Sequence, residues 1–197
     1  MEQQKQVEQQ HVIRFVRAGE WEKVKGLRLD ALRDPAASVA FLETVEQAAA
    51  QPDEHWQDRA ARAAAGEQVA QIIAEGPDGQ WDGSVSVFIE GAGSTDFLGQ
   101  VVEVDQAHVV GVFVRPEQRG SGLTDALFEA ALEWVWKRES PALGRARLFV
   151  HEENERAARF YRRFGFRPTG LVIPKPDEPS AKEHEYVFPR PVSSGGV

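Results

Sequence analysis

The chain of 197 residues is long enough for one compact domain with a sizeable core. Hydrophobic residues make up 42% and charged residues 27%, and the formal net charge of −8 argues against general binding to nucleic acids. Because the sequence contains no cysteine, disulfide bonds, thiolate metal sites and a cysteine nucleophile are excluded.

Both ends of the sequence are polar. Residues 1–10 are rich in Gln and predict a disordered tail without the apolar segment of a signal peptide, and residues 191–197 predict a loose tail. No stretch approaches the apolar length of a membrane-spanning helix, so we expect a cytoplasmic protein without a membrane partner. Residues 11–190 are expected to form a single domain.

The first half of the chain predicts strands around a helical region. Residues 12–16 alternate as a first strand, and apolar spacing indicates a helix over residues 20–33. Residues 69–74 predict a second strand. Between them, residues 36–63 predict one or two short helices with these anchors: Phe41, Leu42 and Trp56.

The next region predicts a hairpin and a central strand. After a turn at residues 76–79, residues 84–90 alternate as a third strand, and residues 97–104 are expected to extend that hairpin. Residues 109–114 are β-branched and aromatic, as in a buried strand. This strand must end near Pro116, because proline cannot take an interior place in the sheet.

A glycine-containing loop precedes an amphipathic helix that runs to about Lys137. The start of a helix has unpaired N–H groups and positive potential, so it favours an anion. Gly120 and Gly122 leave room for a phosphate near these groups, and Arg119 adds a positive charge. The alternative is a flexible connector. A dinucleotide-binding fingerprint is excluded because Asp125 stands where its third glycine belongs, and no P-loop sequence follows.

The last third of the chain predicts a strand at residues 148–150 and a helix that Gly165 ends. Strands at residues 169–173 and 185–188 follow, with a proline-rich loop at residues 174–179 between them. The complete order of elements predicts a mixed α/β (α+β) layer fold.

Two segments resemble signatures of the GNAT superfamily of N-acyltransferases. Residues 119–124 resemble the acyl-CoA signature Gln/Arg-x-x-Gly-x-Gly/Ala, with Thr124 in the last position. Residues 154–166 resemble Asn-x-x-Ala-x-x-Phe-Tyr-x-x-x-Gly-Phe and fill every named position. The resemblance implies the family fold, a mixed and mostly antiparallel sheet with helices on both faces.

The resemblance also implies transfer of an acetyl group from acetyl-CoA, as co-substrate, to a primary amine. In this family a Tyr beside the CoA sulfur acts as general acid and an Asn fixes the cofactor arm, roles that fall on Tyr161 and Asn154. The alternative role of Tyr161 is core packing, and the alternative role of Asn154 is to cap a helix. Backbone N–H groups of the central strand would stabilise the oxyanion. The cofactor contacts implied are Val112, Phe113, Val114, Arg119, Gly120, Ser121, Gly122, Leu123, Thr124 and Asn154.

The sequence offers four candidates for the general base and does not distinguish between them. His108 opens the central strand and can accept a proton near neutral pH, directly or through water, although a His at such a position is more often a surface residue. Glu103, Asp105 and Glu152 are alternatives. The five histidines and the many carboxylates show no compact ligand spacing, so no metal is expected.

The acceptor is not encoded in a readable motif. Small amines, aminoglycosides, peptide N-termini and protein lysines all agree with the acidic composition, and a homodimer is common in the superfamily. Residues 36–63 would form a lip on the acceptor site, or alternatively only pack over the sheet. Selectivity is expected from loops such as residues 34–63 and 174–184. Two rival hypotheses are an acyl-CoA-binding sensor or interaction module without catalysis, and a structural domain that binds no phosphate.

Overall fold

The computed structural model of the chain describes residues 11–97, 99–176 and 178–192. Within them lie seven strands: β1 (Val12–Phe15), β2 (Val69–Glu75), β3 (Trp81–Glu90), β4 (Gln106–Val114), β5 (Arg145–His151), β6 (Arg167–Lys175) and β7 (Glu178–Pro189). The α-helices are α1 (Trp21–Leu32), α2 (Ala37–Ala40), α3 (Val45–Ala49), α4 (Asp53–Ala65), α5 (Leu123–Trp136) and α6 (Glu155–Phe164).

The strands form one mixed sheet in the order β1-β2-β3-β4-β5-β7-β6. Antiparallel pairing joins β1 to β2, β2 to β3, β5 to β7 and β7 to β6. Strands β4 and β5 are parallel, and residues 106–108 pair with residues 145–147. The predicted mixed, mostly antiparallel sheet of an α/β fold is therefore confirmed.

The chain divides into two compact units. The first is the described part of Met1–Phe88 together with Val109–Glu133, and the second is Ile89–His108 together with the described part of Trp134–Val197. In the first unit, α1, α4 and β2 contribute Val24, Trp56 and Ile73 to one hydrophobic core. In the second, fully buried Phe166 packs against the ring of Phe188, with ring centroids 5.5 Å apart.

Most predicted elements of the first unit are present, but the helical region differs in detail. Three helices, α2 to α4, replace the one or two that were predicted between α1 and β2. Trp56 is fully buried, as an anchor should be, whereas Leu42 is 42% exposed and was wrongly predicted as an anchor. Leu42 lies in the irregular segment between α2 and α3, where its side chain is left uncovered.

The predicted hairpin extension at residues 97–104 is wrong. This segment contains an isolated bridge between Thr95 and Val101 instead of a strand, and β4 begins only at Gln106. Gly93 and Gly99 adopt φ of +82° and +75°, so the backbone turns where a strand would stay extended. Leu98 lies outside the described residues.

The predicted proline-rich loop at residues 174–179 is also wrong, because β6 continues through Lys175 and β7 begins at Glu178. Strand β6 is the edge of the sheet, where proline is tolerated, since one side of an edge strand needs no N–H donor. Pro179 precedes the part of β7 that pairs with β5, which begins at Glu183.

The two predicted tails fall largely outside the description. Residues 1–10 and 193–197 lie beyond the described residues, and residues 191–192 have no regular secondary structure. Among the helices that the structure describes, none has both the length and the apolar character needed to cross a membrane.

Candidate functional site

The loop before α5 exposes its backbone to an approaching ligand. Gly120 and Gly122 have φ of +80° and +91°, the left-handed region that side chains with a Cβ disfavour. A Cβ added at either glycine would meet no atom within 4 Å, so the space beside the backbone is open. The loop therefore fits a ligand group, such as a phosphate, that must approach N–H groups closely at a helix start.

Side chains within the first unit hold this loop in place. The hydroxyl of Ser121 donates to the carbonyl oxygen of Gln118 at 2.6 Å. Arg119 donates from Nε to the carbonyl oxygen of Val114 at 3.1 Å, and its Nη2 pairs with the buried carboxylate of Asp34. The positive charge that the sequence placed beside the glycines is thus largely offset, and Arg119 anchors the loop to the segment after α1.

Strand β4 contains one residue with irregular backbone geometry in its middle. Gly111 has φ of +62°, which no interior strand residue adopts regularly, and such an irregularity reorients the peptide groups beside it. Val112 is half-buried, whereas Phe113 and Val114 are buried. The N–H groups of residues 112–114, from which the oxyanion contact is expected, follow this irregularity directly.

A polar pocket in the same unit borders Gly111 and Phe113. It is a shallow, partly open depression, with about 290 Å³ of empty space when the part that belongs to open solvent is counted. Its polar lining comes from four elements, α1, α4, β2 and β3, and consists of Arg28, Arg59, Gln71, Ser84 and Ser86.

The two arginines of this pocket have different surroundings. Arg28 donates from Nε to Glu43 at 3.0 Å, and its guanidinium lies 4.6 Å from the ring centroid of Phe41. Arg59 lies 5.5 Å from the ring centroid of Trp56, and it makes no hydrogen bond or ion pair with any residue that the structure describes. Burial, and then repulsion by Arg28, lower the pKa of Arg59 from its usual range, although attraction by Glu43 opposes this shift.

The second unit contains a buried cluster of charges around Arg147. Its guanidinium donates to Glu90 at 2.9 Å, to Asp96 at 2.8 Å and to Glu185 at 3.3 Å. Burial by itself would raise the pKa of Glu90, but hydrogen bonds from His108 and Arg147 lower it to about 2. Glu90 is therefore a carboxylate at neutral pH, and its oxygens only accept hydrogen bonds.

The predicted base His108 belongs to this cluster. Its side chain is buried, its Nδ1 lies 3.0 Å from Oε1 of Glu90, and its ring contacts those of Phe97 and Phe149. Because the carboxylate of Glu90 only accepts, Nδ1 must carry the proton, and in the neutral ring Nε2 keeps its lone pair. The unprotonated nitrogen of the neutral ring is thus Nε2, and His108 is buried instead of lying at the surface.

The three alternative candidates for the general base differ from His108 in their surroundings. Glu103 is exposed, and the Oδ1 atom of Asp105 accepts a hydrogen bond from the backbone N–H of Ala92 at 2.9 Å. Glu152 is also exposed, and its Oε1 atom accepts from the N–H of Lys182 at 2.9 Å. Asp105 and Glu152 thus stabilise backbone turns, which gives each a structural role.

Tyr161 and Asn154 both lie on or beside α6 in the second unit. Tyr161 is buried between the rings of Phe160 and Phe166, and burial raises its pKa above the ordinary value although Arg156 opposes this. Its hydroxyl therefore stays protonated. The side chain of Asn154 caps the helix by accepting from the N–H of Ala157 at 3.2 Å.

Several polar residues of these sites were missed in the sequence. Gln71 did carry a signal, because it is a buried polar residue within the otherwise apolar run of β2. No local pattern marks Arg59, Glu90 or Arg147, since their neighbours are distant along the chain and only the tertiary fold brings them together.

Comparisons with known proteins agree with this architecture. Residues 34–166 match the sequence model described as the acetyltransferase (GNAT) family. A segment of 75 residues is 29% identical to a provisionally named ribosomal protein bS18-alanine N-acetyltransferase of Bacillus subtilis (strain 168). The segment covers 38% of this chain and 48% of that protein, so the chain spans about half the length of this curated relative.

Solved structures share the fold at low sequence identity. Arabidopsis thaliana NAA60 in complex with acetyl-CoA has a TM-score of 0.65 and 17% identity, over 91% of this chain and 99% of that chain. Spermidine N-acetyltransferase from Vibrio cholerae in complex with CoA and spermine has a TM-score of 0.65 and 14% identity, over 92% and 96% of the two chains.

Proposed function

Because the chain belongs to the GNAT family of acetyltransferases, we propose that it is an N-acetyltransferase that transfers an acetyl group from acetyl-CoA to a primary amine. The observation that carries the proposal is the loop before α5, where two glycines with positive φ leave open space beside the backbone. Acetyl-CoA supplies the acetyl group in activated form, as a thioester. The acceptor amine would belong to a small molecule or a peptide, as the names of the similar proteins suggest.

Binding roles follow from the local structure of the first unit. The N–H groups of residues 120–124 would bind the pyrophosphate, since a helix start favours an anion and the glycines permit close approach. The N–H groups of residues 112–114 would donate to the carbonyl oxygen of the acetyl group, where negative charge develops during attack. In the second unit, Asn154 would fix the cofactor arm, in addition to its cap.

Proton transfer roles fall on two side chains of the second unit. An amine reaches the protein as an ammonium ion and must lose a proton before it attacks, and Nε2 of His108 would accept that proton. Glu90 would hold the imidazole in the required tautomer. When the carbon–sulfur bond breaks, Tyr161 would donate its hydroxyl proton to the departing thiolate.

The proposal is tested in two steps. Isothermal titration with acetyl-CoA measures binding, and absence of binding would contradict the phosphate-loop assignment. Release of free thiol from acetyl-CoA is then measured with a panel of primary amines. Binding without thiol release from any amine would favour the acyl-CoA sensor instead.

The role of His108 is tested with His108→Gln, whose side chain can still donate to Glu90 but cannot act as a base. We expect kcat to fall by about 10²–10⁴-fold, the usual contribution of general base catalysis, with unchanged affinity for acetyl-CoA. If kcat stays within a few-fold of the parent value while the variant remains folded, His108 is only a structural member of the buried cluster.

A further inference from the structure

The polar pocket of the first unit has an unusual charge balance for a protein with a formal net charge of −8. Arg28 and Arg59 both line the pocket, and Glu43 pairs with Arg28 and also attracts the charge of Arg59, so one carboxylate faces two guanidinium groups. Arg59 makes no ion pair with any described residue. Arg59 is half-buried, so its guanidinium has lost part of its hydration, and the attraction by Glu43 replaces it only in part, which costs free energy.

The other polar groups of the pocket suit the same kind of ligand. Gln71 donates from Nε2 to the hydroxyl of Ser84 at 3.4 Å, and Ser84 and Ser86 are both buried, at 5% and 6% exposure. Hydroxyl groups donate readily to an anion, and a guanidinium offers several N–H donors in one plane. The pocket thus contains donors and positive charge, and its described lining contains no carboxylate.

The position of the pocket links it to the acceptor. It borders Gly111 and Phe113, the part of β4 beside the N–H groups that are expected to bind the acetyl oxygen. An amine must approach the acetyl carbon within bonding distance, so a group held in this pocket would be another part of the same acceptor molecule.

We propose that the acceptor carries a compact anionic group, a carboxylate or a phosphate, which binds in this pocket between Arg28 and Arg59. The inference rests on the proposed N-acetyltransferase function and names the substrate class. The anion pairs with Arg59, accepts hydrogen bonds from the serine hydroxyls and places the amine beside β4. Burial and repulsion by Arg28 lower the pKa of Arg59, and an anion in the pocket would oppose both effects by supplying a second negative charge.

The test compares matched pairs of primary amines that differ only in this group: carboxylate against carboxamide, and phosphate against hydroxyl. We expect kcat/KM to be about 10–100-fold higher for the anionic member, because a charge-assisted pair in a desolvated pocket is stronger than a neutral contact. In Arg59→Gln, the ratio between anionic and neutral members should fall towards 1. Arg62→Gln is the control, because Arg62 lies one turn further along α4, is exposed and does not line the pocket.

A second measurement separates this inference from the proposed function. If no amine is acetylated, the proposed activity fails, and inorganic phosphate is then titrated in the absence of CoA while the melting temperature is followed. A larger stabilisation of the parent and of Arg62→Gln than of Arg59→Gln supports the anion site. Equal stabilisation of all three proteins, or equal kcat/KM for anionic and neutral amines in the parent, would overturn it.

Discussion

Burial of Tyr161 keeps its hydroxyl protonated, because a phenolate would lose its hydration in the apolar surroundings of α6. A general acid must still carry its proton when the thiolate departs, and the raised pKa of Tyr161 meets this requirement, although it also makes the hydroxyl a weaker acid. The ring can pack while the hydroxyl donates, so the packing alternative and the catalytic hypothesis do not exclude each other.

Substitution of Tyr161 by Phe separates these two roles, since it keeps the ring and removes the hydroxyl. We expect kcat to fall by about 10²–10⁴-fold, while the affinity for acetyl-CoA changes by less than about tenfold. The loss should shrink with an acyl donor whose leaving thiol is more acidic. Steady-state kinetics and isothermal titration measure these quantities.

The other tyrosine of the chain provides the control. Tyr186 is equally buried, and its hydroxyl accepts a hydrogen bond from Arg162 at 3.0 Å. Tyr186→Phe therefore removes a buried hydroxyl without removing the proposed acid, and kcat should stay near the parent value. If both variants retain the parent kcat, Tyr161 is a core residue and has no part in proton transfer.

At the scale of elements, the loop before α5 depends on backbone conformation more than on side chains. Gly122→Ala introduces a Cβ at φ of +91°, which costs about 1–2 kcal/mol of stability and places a methyl group in the open space beside the N–H groups. We expect the affinity for acetyl-CoA to fall about tenfold or more, measured by isothermal titration on the folded variant. A bulkier Val, although suited to blocking a phosphate, would add strain to the same backbone.

Gly170 offers a matched control in β6. It has the same φ of +91° and equally open space for a Cβ, so Gly170→Ala carries a similar backbone penalty. This variant should lose comparable stability in urea unfolding and keep the parent affinity for acetyl-CoA. Equal affinities in the two variants would remove the phosphate loop from the proposed site.

The elements that the sequence predicted correctly are those whose formation is determined by neighbouring residues in the sequence. Apolar periodicity predicted α1 and α5, and Gly165 at the end of α6 marked a helix stop that the structure confirms. Residues 174–179 were misread because the tolerance of proline depends on the place of a strand in the sheet, which local sequence does not contain. The pocket and the charge cluster could not be predicted from the sequence for the same reason. The contacts of Arg59 and Arg147 are with residues that are distant along the chain.

At the scale of the whole molecule, the two units differ in how they pair their charges. In the first unit one carboxylate, Glu43, acts on two guanidinium groups of the pocket, whereas in the second three carboxylates surround one arginine. The stability of the second unit therefore depends on Arg147. Without this arginine, the carboxylates of Glu90, Asp96 and Glu185 would lose the positive partner that they share.

Arg147→Met should therefore lower the free energy of unfolding by about 3–5 kcal/mol at pH 7.5, the usual cost of leaving buried charges unpaired. The pH dependence has a definite sign. In the parent, the pKa of Glu90 is lowered to about 2 from 4.5, so its contribution is complete above about pH 4.5 and is lost only as the pH falls towards 2. Parent stability should thus change little through Glu90 between pH 7.5 and 5.

In Arg147→Met, burial still raises the pKa of Glu90 and the hydrogen bond from His108 alone is left to lower it, so the deficit in stability should shrink as the pH falls and Glu90 becomes protonated. Urea unfolding at pH 7.5 and at pH 5 should show part of the deficit recovered at the lower pH. Arg145→Met is the control, because Arg145 donates to the neutral side chain of Gln106 at 2.7 Å, and its deficit should not vary with pH.

Should Arg147→Met fail to fold at pH 7.5, Arg147→Lys retains the charge and should show a smaller deficit. A deficit for Arg147→Met that is the same at both pH values, or folding that does not return at pH 5, would contradict the assignment of Arg147 as the counter-charge of this cluster.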